Sequence, residues 1–237
     1  VGVIVGAEQQ VAEVAQKVAK EKYGLDVELV TFNDYVLPNE ALSKGDIDVN
    51  AFQHKPYLDQ QIKDRGYKLV AVGNTFVYPI AGYSKKIKSL DELQPGSQIA
   101  VPNDPTNLGR SLLLLQQVGL IKLKDGVGLL PTSLDIVENP KNLKIVELEA
   151  PQLPRSLDDA QIALAVINTT YASQIGLTPA KDGIFVEGKE SPYVNLIVAR
   201  EDNKDAENVK KFVQAYQSDE VYEAANKIFN GGAVKGW

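Results

Sequence analysis

Two successive series of alternating strand and helix patterns, separated by two short extended segments, constrain this chain more than any other feature of it. Val1-Gly-Val-Ile-Val5 is a β-rich run ending at Gly6, after which Val11, Val14, Ala15, Val18 and Ala19 recur at helical spacing as far as Tyr23-Gly24. Val27-Glu-Leu-Val-Thr-Phe32 reads as a strand, Asn39 to Lys44 as a short helix stopped by Gly45, and Lys68-Leu-Val-Ala-Val72 as a further strand. The second series opens at Ser89-Leu-Asp-Glu92, a capping-box spacing. It continues through the strand Gln98-Ile-Ala-Val101, a helix capped by Thr106, the strand Leu143 to Leu148, a helix near Leu157 to Gln161 and the buried run Ala163-Leu-Ala-Val-Ile167. Phe76 to Tyr83 and Ser191 to Val198 flank this series as crossovers. Val209, Phe212, Val213 and Tyr216, then Val221, Ala224, Ala225 and Ile228, mark two closing amphipathic helices. The pattern predicts an α/β chain of two lobes with mostly parallel sheets. Residues 1–79 and 193–237 form one lobe, residues 80–192 the other, and a double hinge joins them. Ligands of open α/β sheets bind beyond the carboxyl ends of the strands, so a cleft between two such lobes is the expected site.

Composition removes several kinds of function. With no cysteine there is no disulfide, thiolate metal site or cysteine nucleophile, and with His54 as the single histidine a transition-metal centre lacks ligands. A net charge of −6 with scattered lysines argues against nucleic acid. No apolar run reaches transmembrane length, and the chain starts inside a strand on Val1, which predicts a missing upstream piece such as a tag, a signal peptide or a domain. Glycine-rich phosphate or dinucleotide loops and the Gly-x-Ser-x-Gly elbow do not occur. Asp158 and Asp159 are adjacent on a helix and point apart, so they read as solvated. No catalytic residue, metal or cofactor is expected.

The candidate site residues are polar groups just after strands and a set of aromatics. In Val101-Pro-Asn-Asp-Pro-Thr-Asn-Leu-Gly-Arg110, a guanidinium falls in the first turn of a buried helix, where the helix dipole disfavours a cation unless an anion joins it. That anion is a small carboxylate ligand, or Asp104 in a loop staple. Asn168 follows the run Ala163 to Ile167 and either meets a ligand or caps the next helix. Asn195 lies within the β-rich Tyr193-Val-Asn-Leu-Ile-Val198, where Asn is disfavoured, and serves either a ligand or an edge strand facing water. Phe52, His54 and Tyr57 fall close together in a loop bounded by Pro56. With Tyr35 and Tyr78 they would make an aromatic box, in which a thioether gains about 0.3–1.5 kcal/mol; core packing is the alternative fate of each.

Val1 to Glu8, Gly45 to Tyr57, Val101 to Arg110 and Ser191 to Asn195 together resemble, in order and over essentially the whole chain, the NlpA family of methionine-binding lipoproteins. The resemblance implies a two-lobed, periplasmic-binding-protein-like (type II) fold and a substrate-binding protein that closes over methionine, L- or D-, for an ABC importer. Its partners would be the permease and ATPase subunits of that importer. The native protein would be anchored to the periplasmic face of the inner membrane by lipid on an N-terminal cysteine upstream of Val1, while the present chain would be soluble and monomeric. The resemblance implies Arg110 as partner of the ligand carboxylate, Asn107, Asn168 and Asn195 as hydrogen-bonding groups, and Phe52, His54, Tyr57, Tyr78 and Tyr35 as walls. A different small amino acid or a sulfonate as ligand, or an amino-acid-processing enzyme on the same scaffold, are the competing readings.

Overall fold

A computed structural model describes residues 1–237, which divide into two compact units. Unit 1 comprises 1–78 and 189–237, and unit 2 comprises 79–188, whereas the sequence reading set these limits at 79/80 and 192/193. Unit 1 begins with β1 (Gly2–Ile4), α1 (Ala7–Tyr23), β2 (Val30–Phe32), α2 (Leu37–Lys44), β3 (Val49–His54), α3 (Lys55–Arg65) and β4 (Leu69–Val77). Helices α1, α2 and α3 stop at Gly24, Gly45 and Gly66, each left-handed at the C-cap.

Unit 2 follows with β5 (Ala81–Tyr83), β6 (Gln98–Pro102), α4 (Pro105–Gln117), β7 (Lys122–Leu123), β8 (Ile136–Glu138), β9 (Lys144–Leu148), α5 (Leu153–Ser156), β10 (Ile162–Ile167), α6 (Thr169–Ala172), α7 (Pro179–Asp182) and β11 (Phe185–Val186). The chain then returns to unit 1 as β12 (Val194–Arg200), α8 (Glu207–Tyr216), α9 (Asp219–Ile228) and β13 (Val234–Lys235). The helix expected near Leu157 to Gln161 lies earlier, at α5, because Pro154 suits a helix start and the chain turns after Ser156.

The sheet of unit 1 runs β13-β4-β12-β3-β1-β2. It is mixed rather than mostly parallel: β1 is parallel to β2 and β3, but the returning β12 is antiparallel to both β3 and β4. In β12 the alternation of side chains sends Ile197 and Ala199 into a core with α1 and α8, and Leu196 and Val198 into a second core with Leu42 of α2 and Leu58 of α3. Helices therefore cover both faces. The sheet of unit 2, β11-β5-β10-β6-β9, is also mixed, with β6 parallel to β9 and β10 and β5 antiparallel to its neighbours. Leu108, Leu112 and Leu115 of α4 pack on Ile99, Val101, Leu164 and Val166.

Candidate functional site

In unit 2 the polar residues gather at the start of α4. Asp104, not Thr106, is the N-cap: its backbone is extended, and its carboxylate accepts from the Asn107 N–H at 3.2 Å. Pro105 takes the first helical position, where a missing N–H costs nothing. Arg110 is thus in the second turn, past the strongest part of the helix dipole.

The anion that Arg110 requires is Glu187. Arg110 Nε donates to Glu187 Oε2 at 2.9 Å and Nη2 to Oε1 at 2.6 Å, a two-pronged pair whose side chains are 4% and 11% exposed. No local sequence signal marks Glu187, 77 residues away along the chain. It stands in a charged stretch, Glu187-Gly-Lys-Glu190, that looks like solvated loop.

The Asp104 carboxylate serves Asn107 instead, accepting from its Nδ2 at 2.9 Å (Oδ2) and 3.2 Å (Oδ1), and also from Thr106 Oγ1 at 3.3 Å. Burial raises the Asp104 pKa, against the opposing pull of these donors. Asn168 stands at the N-cap position of α6, yet its side chain does not cap the helix. Its Nδ2 donates to Asn107 Oδ1 at 3.2 Å. Its Oδ1 is buried without any hydrogen-bond partner. Such an orphan acceptor costs about 1–3 kcal/mol. Arg110, Asn107 and Asn168 are therefore brought together on one framework. Gly109 contributes to its rigidity, since a Cβ there would collide with the Leu129 carbonyl.

In unit 1 the segment expected as a loop is a strand followed at once by a helix. β3 is buried throughout, and His54 ends it as N-cap of α3, its Nδ1 accepting from the Tyr57 N–H at 3.1 Å. The register between β12 and β3 shifts from Leu196↔Gln53 to Val198↔Asn50, an extra residue on the β3 side. This bulge brings Asn50 and Gln53 to the same place, where Gln53 Nε2 donates to Asn50 Oδ1 at 3.0 Å and both amides join Asn39 of α2. The buried amide triad ties the start of α2 to β3. The preceding turn carries Tyr35.

Tyr35, Phe52 and Tyr57 form a ring triangle with centroids 5.9–6.0 Å apart, and Tyr57 Oη donates to the Tyr35 carbonyl at 2.8 Å. His54 joins through Tyr57 at 6.2 Å and through Tyr193 at 5.1 Å. Tyr193 is a member of the cluster that the sequence reading passed over, although it stands in Ser191-Pro-Tyr193. Tyr78 instead packs in the core of unit 1 against Phe76 and Phe229, and burial pushes its hydroxyl pKa well up, with Tyr216 and Glu8 adding to the effect. Asn195 is half-buried and pairs in register with His54. Because β12 lies between β3 and β4, the edge-strand explanation of Asn195 fails.

Comparison with known proteins supplies what geometry alone does not. The NlpA lipoprotein family model matches residues 1–237. D-methionine-binding lipoprotein MetQ of Escherichia coli K12 is 95% identical over 237 residues, all of this chain and 88% of that protein. A crystal structure of the methionine-binding protein MetQ superposes with a TM-score of 0.99 at 95% identity, covering 100% of this chain and 96% of that one. A nutrient-binding protein of Burkholderia cenocepacia bound to methionine gives a TM-score of 0.96 at 55% identity, covering 100% and 98%. A periplasmic substrate-binding protein of an ABC transporter from Coxiella burnetii gives 0.95 at 51%, covering 99% and 98%.

Proposed function

The chain belongs to the NlpA lipoprotein family, and on that premise we propose that it is the substrate-binding component of a bacterial ABC importer, capturing L- and D-methionine. What carries the reading is the full-length likeness to a binding protein seen with methionine. In unit 2, Arg110 takes the ligand carboxylate and Asn168 Oδ1 accepts from its ammonium, with Asn107 and Asn195 as further hydrogen-bonding groups. The thioether side chain is received by Phe52, His54, Tyr57 and Tyr35 of unit 1, with Tyr78 as backing from the core. Binding then commits the ligand for delivery. The permease and ATPase subunits of the importer receive it, and the binding protein acts as a monomer held by lipid at the periplasmic face of the inner membrane. No helix is long and apolar enough to cross a membrane.

The Arg110–Glu187 pair favours an amino acid over a sulfonate. A bare anion would meet a guanidinium already neutralised by Glu187 and leave Asn168 Oδ1 without a donor, whereas an amino acid brings its ammonium to that oxygen. The names of the relatives favour a binding protein over an enzyme on the same scaffold.

The chain contains no Cys and no Met, so any sulfur in purified protein is foreign. Protein freed of any Met- or Cys-containing tag and desalted without denaturation is expected to carry close to one sulfur per chain, lost on unfolding and refolding. Adding methionine to the stripped protein should raise its stability by about 2.7 kcal/mol at a hundred times Kd. Sulfur-free protein that gains no stability from methionine would overturn the reading.

A further inference from the structure

We propose that Asp104 is a positioning residue for ligand choice: through Asn107 it fixes the Asn168 amide with its oxygen left for the ligand, so that the site takes a protonated amino group and rejects the same acid without one. The inference rests on the reading that this site binds an amino acid. It adds a residue that touches no ligand and a reason for the sign of the contact.

An ionised carboxylate can only accept hydrogen bonds. Asn107 must therefore turn its Nδ2 to Asp104, as it does at 2.9 and 3.2 Å. That leaves Asn107 Oδ1 facing Asn168, and an oxygen can be met only by a donor. Asn168 accordingly offers its Nδ2, at 3.2 Å. The far end of the relay is then Asn168 Oδ1, buried and without a partner. Each link dictates the next, and the start of the chain is held as an acceptor by the Asn107 backbone N–H that it caps, a group that can only donate. With the amide reversed, Asn168 would present two N–H donors and suit an anion. As built, it presents an acceptor and suits an ammonium. The residues between are held by backbone as well: Asp104 caps α4 through the Asn107 N–H, and Ser111 Oγ donates to the Asn107 carbonyl at 2.8 Å, so Asn107 cannot drift away from either neighbour.

Serine at position 104 retains a side-chain oxygen for the helix cap but is too short to hold the Asn107 amide, whereas asparagine retains an acceptor at the same reach. Ligand-stripped full-chain protein, its fold checked by circular dichroism, is titrated calorimetrically with L-methionine and with 4-(methylsulfanyl)butanoate, the same acid lacking the amino group. The parent is expected to prefer methionine by about 100-fold or more, as a site built to pair an N–H rejects the analogue without it. Asp104→Ser should shrink that preference about tenfold or more, nearly all of it through weaker methionine binding, while Asp104→Asn keeps it within about threefold. Asn107→Ser, which cuts the relay and leaves the Asp104 cap in place, should shrink it likewise and serves if Asp104→Ser does not fold. Equal weakening of both ligands in Asp104→Ser would show a helix cap and nothing more, and an unchanged preference in either serine variant would overturn the relay. Failure of the parent to bind either ligand would instead refute the proposed function.

Discussion

Replacing Arg110 by alanine tests whether the guanidinium is held by the protein itself as well as by a ligand. Were Arg110 only the partner of a ligand carboxylate, Arg110→Ala would cost binding and leave the fold intact. The structure predicts otherwise. Arg110 is 4% exposed and Glu187 11%, and two short charge-assisted bonds join them. Removing one member of a buried pair strands the other, at about 3–5 kcal/mol. Glu187 keeps some contact with water, and the Ile80 N–H approaches its Oε1 at 3.5 Å, so the lower end, about 3 kcal/mol, is the working figure. For a chain of this size that corresponds to a fall in Tm of about 6–12 °C.

The measurement is calorimetric or urea unfolding of methionine-stripped protein, since bound ligand would mask the loss by mass action. Arg110→Ala, Glu187→Ala and the double variant complete a cycle. If the pair is a unit, the double variant is less destabilised than the sum of the singles by about 2 kcal/mol, because neither charge remains to be buried alone. A parent-like Tm for Arg110→Ala, or strictly additive losses, would refute the reasoning. The outcome also governs how binding data are read, because lost affinity in Arg110→Ala would contain the disturbance of Glu187 as well as the missing carboxylate partner.

Gly109→Ala should weaken methionine binding and lower stability by more than the roughly 1 kcal/mol that alanine normally adds to a helix, because its Cβ meets the Leu129 carbonyl and α4 must shift beside Arg110; calorimetry and thermal melting check it, and a stabilised variant would contradict it. Asn195→Ala should weaken methionine binding while moving apo stability by no more than about 0.5 kcal/mol, since the side chain is half-buried and Asn adds nothing to strand propensity; a large fall in apo Tm with unchanged affinity would make it a structural residue. His54→Ala removes the acceptor that caps α3 and should cost about 1 kcal/mol, seen as a lowered urea midpoint that His54→Asn, a competent cap, restores.

What the sequence made legible was whatever depended on neighbours along the chain. The helical spacing of Val11 to Ala19, the buried Leu112 to Leu115 and the glycine stops were all readable because period and cap are local properties. Asp104 as cap was legible too: an Asp-Pro pair sets N-cap and first helical residue, and preferring Thr106 moved Arg110 into the wrong turn. The misreading of β3 has a different origin. Its bulge puts Asn50 and Gln53 together and buries amides where alternation leads one to expect hydrocarbon, so a fully buried strand resembles a polar loop. Strand direction escaped as well, because nothing local in Val194 to Arg200 says that it returns antiparallel between β3 and β4. Glu187 and Tyr193 lie at the limit of this kind of reading, since their importance exists only in contacts with residues remote in sequence.

Those contacts explain why local rules fail around Arg110. A stability-driven sequence would not bury an Arg beside a half-buried Glu and a half-buried Asp and then leave an asparagine oxygen without a partner. Here the charges are arranged so that each fixes a neighbour: Glu187 holds the guanidinium, and Asp104 holds Asn107, which holds Asn168. The groups are thus oriented before any ligand arrives, so little ordering of side chains remains to oppose binding. The cost falls on the ligand-free protein, chiefly as the unsatisfied Asn168 oxygen. A ligand that supplies the missing donor recovers that cost as affinity, and one that lacks it leaves the strain in place. On the proposed reading, selectivity for a free amino group would follow from the arrangement of the unliganded site, without any contact that discriminates against other molecules.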